Sequence, residues 1–96
     1  MLTWVMYDIV KDKARTKVAK CCEKAGIYRV QYSVFLGELS KTKRKELKCQ
    51  IEDLIDLAID RVYIFPMCRE DFNSCDLMGQ AFDPDLITDE VKALFI

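Results

Sequence analysis

Histidine is missing from this chain of 96 residues. Its absence removes a histidine general base, a Ser–His or Cys–His nucleophile pair, and imidazole metal ligands. Any catalysis must therefore run on carboxylates, a metal ion, lysine, tyrosine or a thiol acting alone. The cysteines (Cys21, Cys22, Cys49, Cys68 and Cys75) are odd in number and include no CxxC pair. They indicate neither a disulfide framework nor a zinc site, and reduced thiols of a cytoplasmic protein are expected. No apolar run approaches the ~20 residues of a membrane span. The N-terminal run Leu2–Tyr7 meets an acid at once, which does not fit a signal peptide. Only three glycines and two prolines punctuate the chain.

What is present is apolar and charged. Hydrophobic residues make up 51%, high for a single small domain, and suggest apolar surface buried against a second subunit. A net charge of −1 conceals a division. Residues 11–48 carry twelve Lys/Arg against four Asp/Glu, and residues 52–96 carry three against eleven. A half this basic on a near-neutral protein is the footprint of a surface that binds polyanions.

The apolar pattern predicts the elements. Leu2–Tyr7 is apolar on both parities, as in a central strand covered on both faces. Ending it on Asp8 places a carboxylate at a sheet edge, where it can reach solvent, a metal or a partner. Asp12 is the expected N-cap of a helix running to about Ala25, with Gly26 as its stop. Ala14, Val18, Cys21, Cys22 and Ala25 share its buried face. Lys13, Lys17, Lys20 and Lys24 form a stripe beside that face, and Arg15 lies on the opposite flank. Ile27–Phe35 reads as one strand with Arg29, Gln31, Ser33 and Phe35 on one side. Gly37 leads by a tight connection or bulge into a short strand at Glu38-Leu39. Ser40 is expected to cap a second helix reaching about Ile59, with Leu47, Ile51, Leu54, Ile55 and Ala58 buried. Lys41, Lys43, Arg44, Lys45 and Lys48 crowd its first turns, against the preference of the helix dipole, so they are assigned to a ligand. Arg61–Phe65 is a further strand ended by Pro66. The acidic tail is punctuated by Gly79 and Pro84, and Thr88 caps a last helical turn.

The resulting order, β-α-β-β-α-β, is the ferredoxin-like α+β sandwich. With two helices on one face of the sheet, the apolar other face is expected to be covered by a second copy, giving a homodimer with facing sheets. Bare, it would forfeit roughly 1.5–3 kcal/mol per large side chain. Residues 1–67 form the folded domain. Residues 68–96 form a tail, a candidate for adding a strand to the partner protomer.

Across residues 1–67 the chain resembles the small CRISPR-associated adaptation nucleases, the second of the two universal Cas proteins. The likeness runs through Tyr7-Asp8-Ile9, Arg15, Lys17-Val18-Ala19-Lys20, Gly26, Arg29-Val30-Gln31-Tyr32-Ser33-Val34-Phe35, Gly37-Glu38-Leu39 and Val62–Pro66. It implies a ferredoxin-like homodimer that cleaves RNA or DNA with a metal ion, and a role beside the partner integrase in acquiring new spacers. On this resemblance Asp8 is the catalytic residue and metal carboxylate, with Mg2+ as the ion and Mn2+ as a substitute. Tyr7, Arg15, Arg29, Ser33 and Phe35 occupy functional positions. Lys17 stands where an arginine often sits, which keeps the charge without the bidentate fork. Because Mg2+ wants several oxygen ligands, two copies of Asp8 meeting on a two-fold axis would serve it better than one.

Two other readings stand beside the endonuclease. One is a non-catalytic dimeric scaffold that holds duplex DNA on Lys41, Lys43, Arg44 and Lys45 while the integrase does the chemistry. The other is a ribonuclease toxin on the same fold.

Overall fold

A computed structural model describes residues 1–79. The expected features at Pro84 and Thr88, and residues 80–96 of the tail as a whole, lie outside the described residues. The elements are β1 (Leu2–Asp8), α1 (Asp12–Lys24), β2 (Tyr28–Gln31), β3 (Val34–Glu38), α2 (Lys41–Glu52), β4 (Arg61–Met67) and α3 (Arg69–Asn73). The strands make one sheet in the order β2-β3-β1-β4, antiparallel throughout. β1 is central, as its two-sided apolar pattern requires. Val5, Tyr7 and Ile9 join Val18, Cys22, Phe35, Leu47 and Ile51 in the core beneath α1 and α2. Leu2 and Trp4 face the other way, into a second cluster with Val30 and Leu36.

The expected strand Ile27–Phe35 is instead a hairpin. β2 stops at Gln31, Tyr32 and Ser33 turn, and β3 returns with Arg29 opposite Phe35. Its β-branched and aromatic residues suit strands but do not mark where one ends, and Ser33 alone, without glycine or proline, is a weak turn signal. Arg29 and Phe35 share a face because they pair across two strands. Gly37 accordingly lies inside β3, not in a connection. A Cβ there would meet Ile27 Cγ2 at 2.7 Å and Ile27 Cα at 2.9 Å. Gly37→Ala is expected to cost about 1–3 kcal/mol by overpacking, read as a lower denaturant midpoint at unchanged m-value.

The helices begin and end differently from their periodicity. Lys11, extended at φ −87°, is the N-cap of α1 and offers no side-chain cap, while Asp12 is the first helical residue and pairs with Arg15. Gly26, at φ +90°, closes that helix as expected. Ser40 caps α2 through a bond from the Lys43 amide at 3.1 Å. α2 stops at Glu52, short of Ile59. Asp56 and Asp60 capture the amides of Ala58 and Asp56 at 2.9 Å each, so side-chain turns replace the helical ladder. Leu54 and Ile55 still pack on the core, but Ala58 is exposed.

Pro66 does not end β4, which runs to Met67. β4 is an edge strand, where a missing N–H can face away from the ladder. Beyond it, Cys68 caps α3, whose Phe72 packs against Trp4 with ring centroids 6.1 Å apart. A wholly bare second face is therefore not what one chain shows. Leu2, Trp4 and Leu36 are buried within it, while Tyr63 at the Asp8 end stays 57% exposed.

Candidate active site and nucleic-acid surface

Strand alternation divides the expected site residues between two faces. Tyr7 points into the core, and Asp8, the next residue, points to the open face beside Arg61, its partner in the register with β4. Asp8 is exposed, and its side chain makes no hydrogen bond or ion pair among the described residues. A carboxylate this uncommitted suits a hard cation, whose remaining ligands are waters and phosphate oxygens. No cluster of three or more Cys, Asp or Glu able to hold a metal exists among the described residues.

On the helix side, the Arg29 guanidinium lies 5.1 Å from the centroid of the Phe35 ring, and Tyr7 stacks on that ring at 6.4 Å. Phe35 has no exposed surface and presents no ring face to a base. It is the platform that holds Arg29. Burial pushes the Tyr7 phenol up, against the pull of the nearby Arg29 charge. The phenol donates to the Tyr32 carbonyl at 3.4 Å. Ser33 sits in the hairpin turn, and its carbonyl accepts from the Tyr7 amide at 3.1 Å. Burial also pushes the Cys22 thiol up to about 12, which keeps it protonated and removes it as a nucleophile.

Arg15 is half-exposed, but its guanidinium is engaged: it donates to the Ile9 carbonyl at 3.0 Å and pairs with Asp12. Lys17, Lys41, Lys43 and Lys45 are exposed, and none of them, nor Arg44, has an ion pair among the described residues. Lys24 at the end of α1 and Lys43 in the first turn of α2 line one cleft of about 100 Å³, which joins the two basic groups across the helix layer. α2 starts beside Leu2, since β3 ends opposite that residue and the Leu39 amide bonds to the Met1 carbonyl at 3.1 Å. Asp8 stands at the other end of β1, about 20 Å away at ~3.3 Å per residue. The structure thus separates the α2 cations from Asp8 by the length of the sheet and by its thickness.

Sequence reasoning missed Arg61 and Asp60. The signal was available in the count: pairing Leu2 with Met67 in two antiparallel seven-residue strands sets Asp8 opposite Arg61. Asp60 accepts from the amides of Val10 and Asp56, both at 2.9 Å. These bonds, Val10's first, hold its carboxyl below the usual carboxylate range. A folded pKa lower than the unfolded one contributes stability that is complete above the unfolded value near 3.9 and is lost as pH falls through the folded value. The melting-temperature gap between the wild type and Asp60→Asn is therefore expected to hold steady above about pH 5 and to shrink in acid.

The family model for "CRISPR associated protein Cas2" matches residues 1–75. A CRISPR-associated endoribonuclease Cas2 of Desulforudis audaxviator is 41% identical over 71 residues, covering 74% of this chain and 67% of that protein. One from Archaeoglobus fulgidus is 42% identical over 69 residues, covering 72% and 73%. Among solved structures, a hypothetical protein of Thermus thermophilus matches with a TM-score of 0.63 at 35% identity, covering 70% of this chain and 80% of that one. Cas2 of Streptococcus pyogenes matches with a TM-score of 0.68 at 24% identity, covering 82% and 100%, a likeness of fold alone.

Proposed function

The chain belongs to the CRISPR-associated Cas2 family, and from that membership we propose that it is a metal-dependent endonuclease, acting on RNA strands first and on duplex DNA second. The observation that carries this reading is Asp8, an exposed and uncommitted carboxylate at the end of the central strand. The arrangement is read as ferredoxin-like, and the working unit as a homodimer in which the open faces meet at the Asp8 end. Support comes from Tyr63, which is exposed there beside the half-buried Met6 and Val34. Two Asp8 carboxylates would hold Mg2+, or Mn2+ in its place. When bound, the ion supplies Lewis acidity and a water acidic enough to attack phosphorus. Arg61, beside Asp8 and free of ion pairs among the described residues, is placed to hold a neighbouring phosphate oxygen. Arg29, on its aromatic platform, and the exposed Lys17 add cationic contacts on the helix side.

A second reading has its own observation. The cations at the start of α2 lie about 20 Å from Asp8, some six base-pair steps along a duplex. A protomer can hold duplex on that surface without offering it to its own carboxylate. This favours a scaffold beside the partner integrase, acting in the cytoplasm during spacer acquisition, with cleavage a separate property. The deciding experiment titrates the purified protein against labelled RNA and labelled duplex DNA, with Mg2+ and with chelator. The nuclease reading expects cut RNA that chelator abolishes. Duplex binding indifferent to chelator, with no cut product of either kind, would leave the scaffold alone.

A further inference from the structure

We propose that Arg15 and Asp60 are paired positioning residues for Asp8, gripping from its two ends the single peptide unit between Ile9 and Val10. The Ile9 carbonyl and the Val10 N–H belong to one planar unit and point in opposite directions. Arg15 Nη1 donates to that carbonyl at 3.0 Å, and Asp60 Oδ1 accepts from that N–H at 2.9 Å. A cation thus sits at the negative end of the peptide dipole and an anion at the positive end. Bonds to ionised groups are the stronger kind. Each arm is itself anchored. The second guanidinium nitrogen of Arg15 pairs with Asp12, and the second carboxylate oxygen of Asp60 accepts from the Asp56 amide at 2.9 Å.

The grip comes from two separate elements, α1 and the loop before β4. It takes hold where the ladder lets go. Asp8 is the last residue of β1 paired with β4, opposite Arg61, and the peptide one residue further on is fixed again by the clamp. A strand end left to itself frays. Here the backbone of Asp8 is held on both sides, which sets the direction of its Cα–Cβ bond. Misplacement of a reacting group by about 1 Å can cost a hundredfold in rate. The proposal rests on Asp8 being the reacting carboxylate, and it gives Arg15 work within its own chain.

The test uses Asp60→Ala, Asp60→Asn and Arg15→Met in the full-length protein. The expected result is a backbone order parameter that falls at residues 8–10 in every variant and, in the Asp60 variants, also in the 56–60 loop whose Asp56 amide Asp60 holds. With it comes a loss of about tenfold or more in kcat for metal-dependent cleavage, with KM within about twofold, as for a group that serves only the transition state. Asn retains one acceptor for Val10 and should recover part of the loss. The Arg15→Met, Asp60→Ala double variant should be little worse than either single one, because both act on the same peptide. Unchanged order at Asp8 in both single variants overturns the proposal. So does wild-type cleavage in them when Asp8→Asn has none, and so does loss of order spread over the whole fold. If Asp8→Asn itself leaves cleavage intact, the nuclease reading falls, and the order parameter at Asp8 alone decides the clamp.

Discussion

Asp8→Asn is expected to lower metal-dependent cleavage about a hundredfold or more while leaving fold and nucleic-acid binding in place. The size follows from what is removed. A catalytic metal is worth several kcal/mol of charge stabilisation, and each 1.36 kcal/mol is a factor of ten in rate. Asparagine keeps the shape and one oxygen but loses the charge that a hard cation requires. The substitution should cost the fold within about 0.5 kcal/mol, as surface changes usually do, because Asp8 is exposed and has no side-chain partner among the described residues. Its pairing with Arg61 in the sheet is made by backbone atoms. Initial rates with saturating Mg2+, beside melting temperatures of both proteins, check this. An unchanged rate would assign the activity to a contaminant and leave the scaffold reading standing.

The sequence marked the parts whose physics is local or strictly periodic. Two-sided hydrophobicity in Leu2–Tyr7 identified a central strand. Ser40 and Gly26 marked helix ends because each is suited to its position, one by a hydroxyl and the other by a positive φ. The terminal acid after an apolar strand located Asp8 at an exposed strand end. Features made by distant residues were not legible. The hairpin at Tyr32-Ser33 is set by strand pairing. The early stop of α2 goes with Asp60 and Asp56 taking up the amides of Asp56 and Ala58 just beyond its end. The placement of Phe72 over Trp4 depends on the chain turning back after β4. Among the site residues, Phe35 stood at a functional position by the family resemblance, and an aromatic on a strand reads alike whether it faces water or core. Only the sheet order shows that its ring lies under Arg29.

Reversing the charge of Lys41, Lys43, Arg44 and Lys45 to glutamate should abolish duplex binding while stabilising α2. The first turn of α2 has no acid, and its cations face the positive end of the helix dipole. Glutamates there are favourable by about 0.3–1 kcal/mol each, so lost binding cannot be ascribed to unfolding, and the melting temperature should hold or rise. The neutral version, with glutamine at all four positions, gives the quantitative test. Each phosphate contact contributes about 0.9 to the slope of log affinity against log salt. If all four side chains touch phosphate, the slope should flatten by about 3 to 4 per protomer. Cleavage of a short RNA that reaches Asp8 without spanning the sheet should keep its rate, since the α2 cations lie at the far end of β1. A slope that does not change would remove the helix layer as the nucleic-acid surface. A slope that flattens together with loss of short-RNA cleavage would mean that Asp8 and α2 serve one strand after all, across the two-fold axis of a dimer.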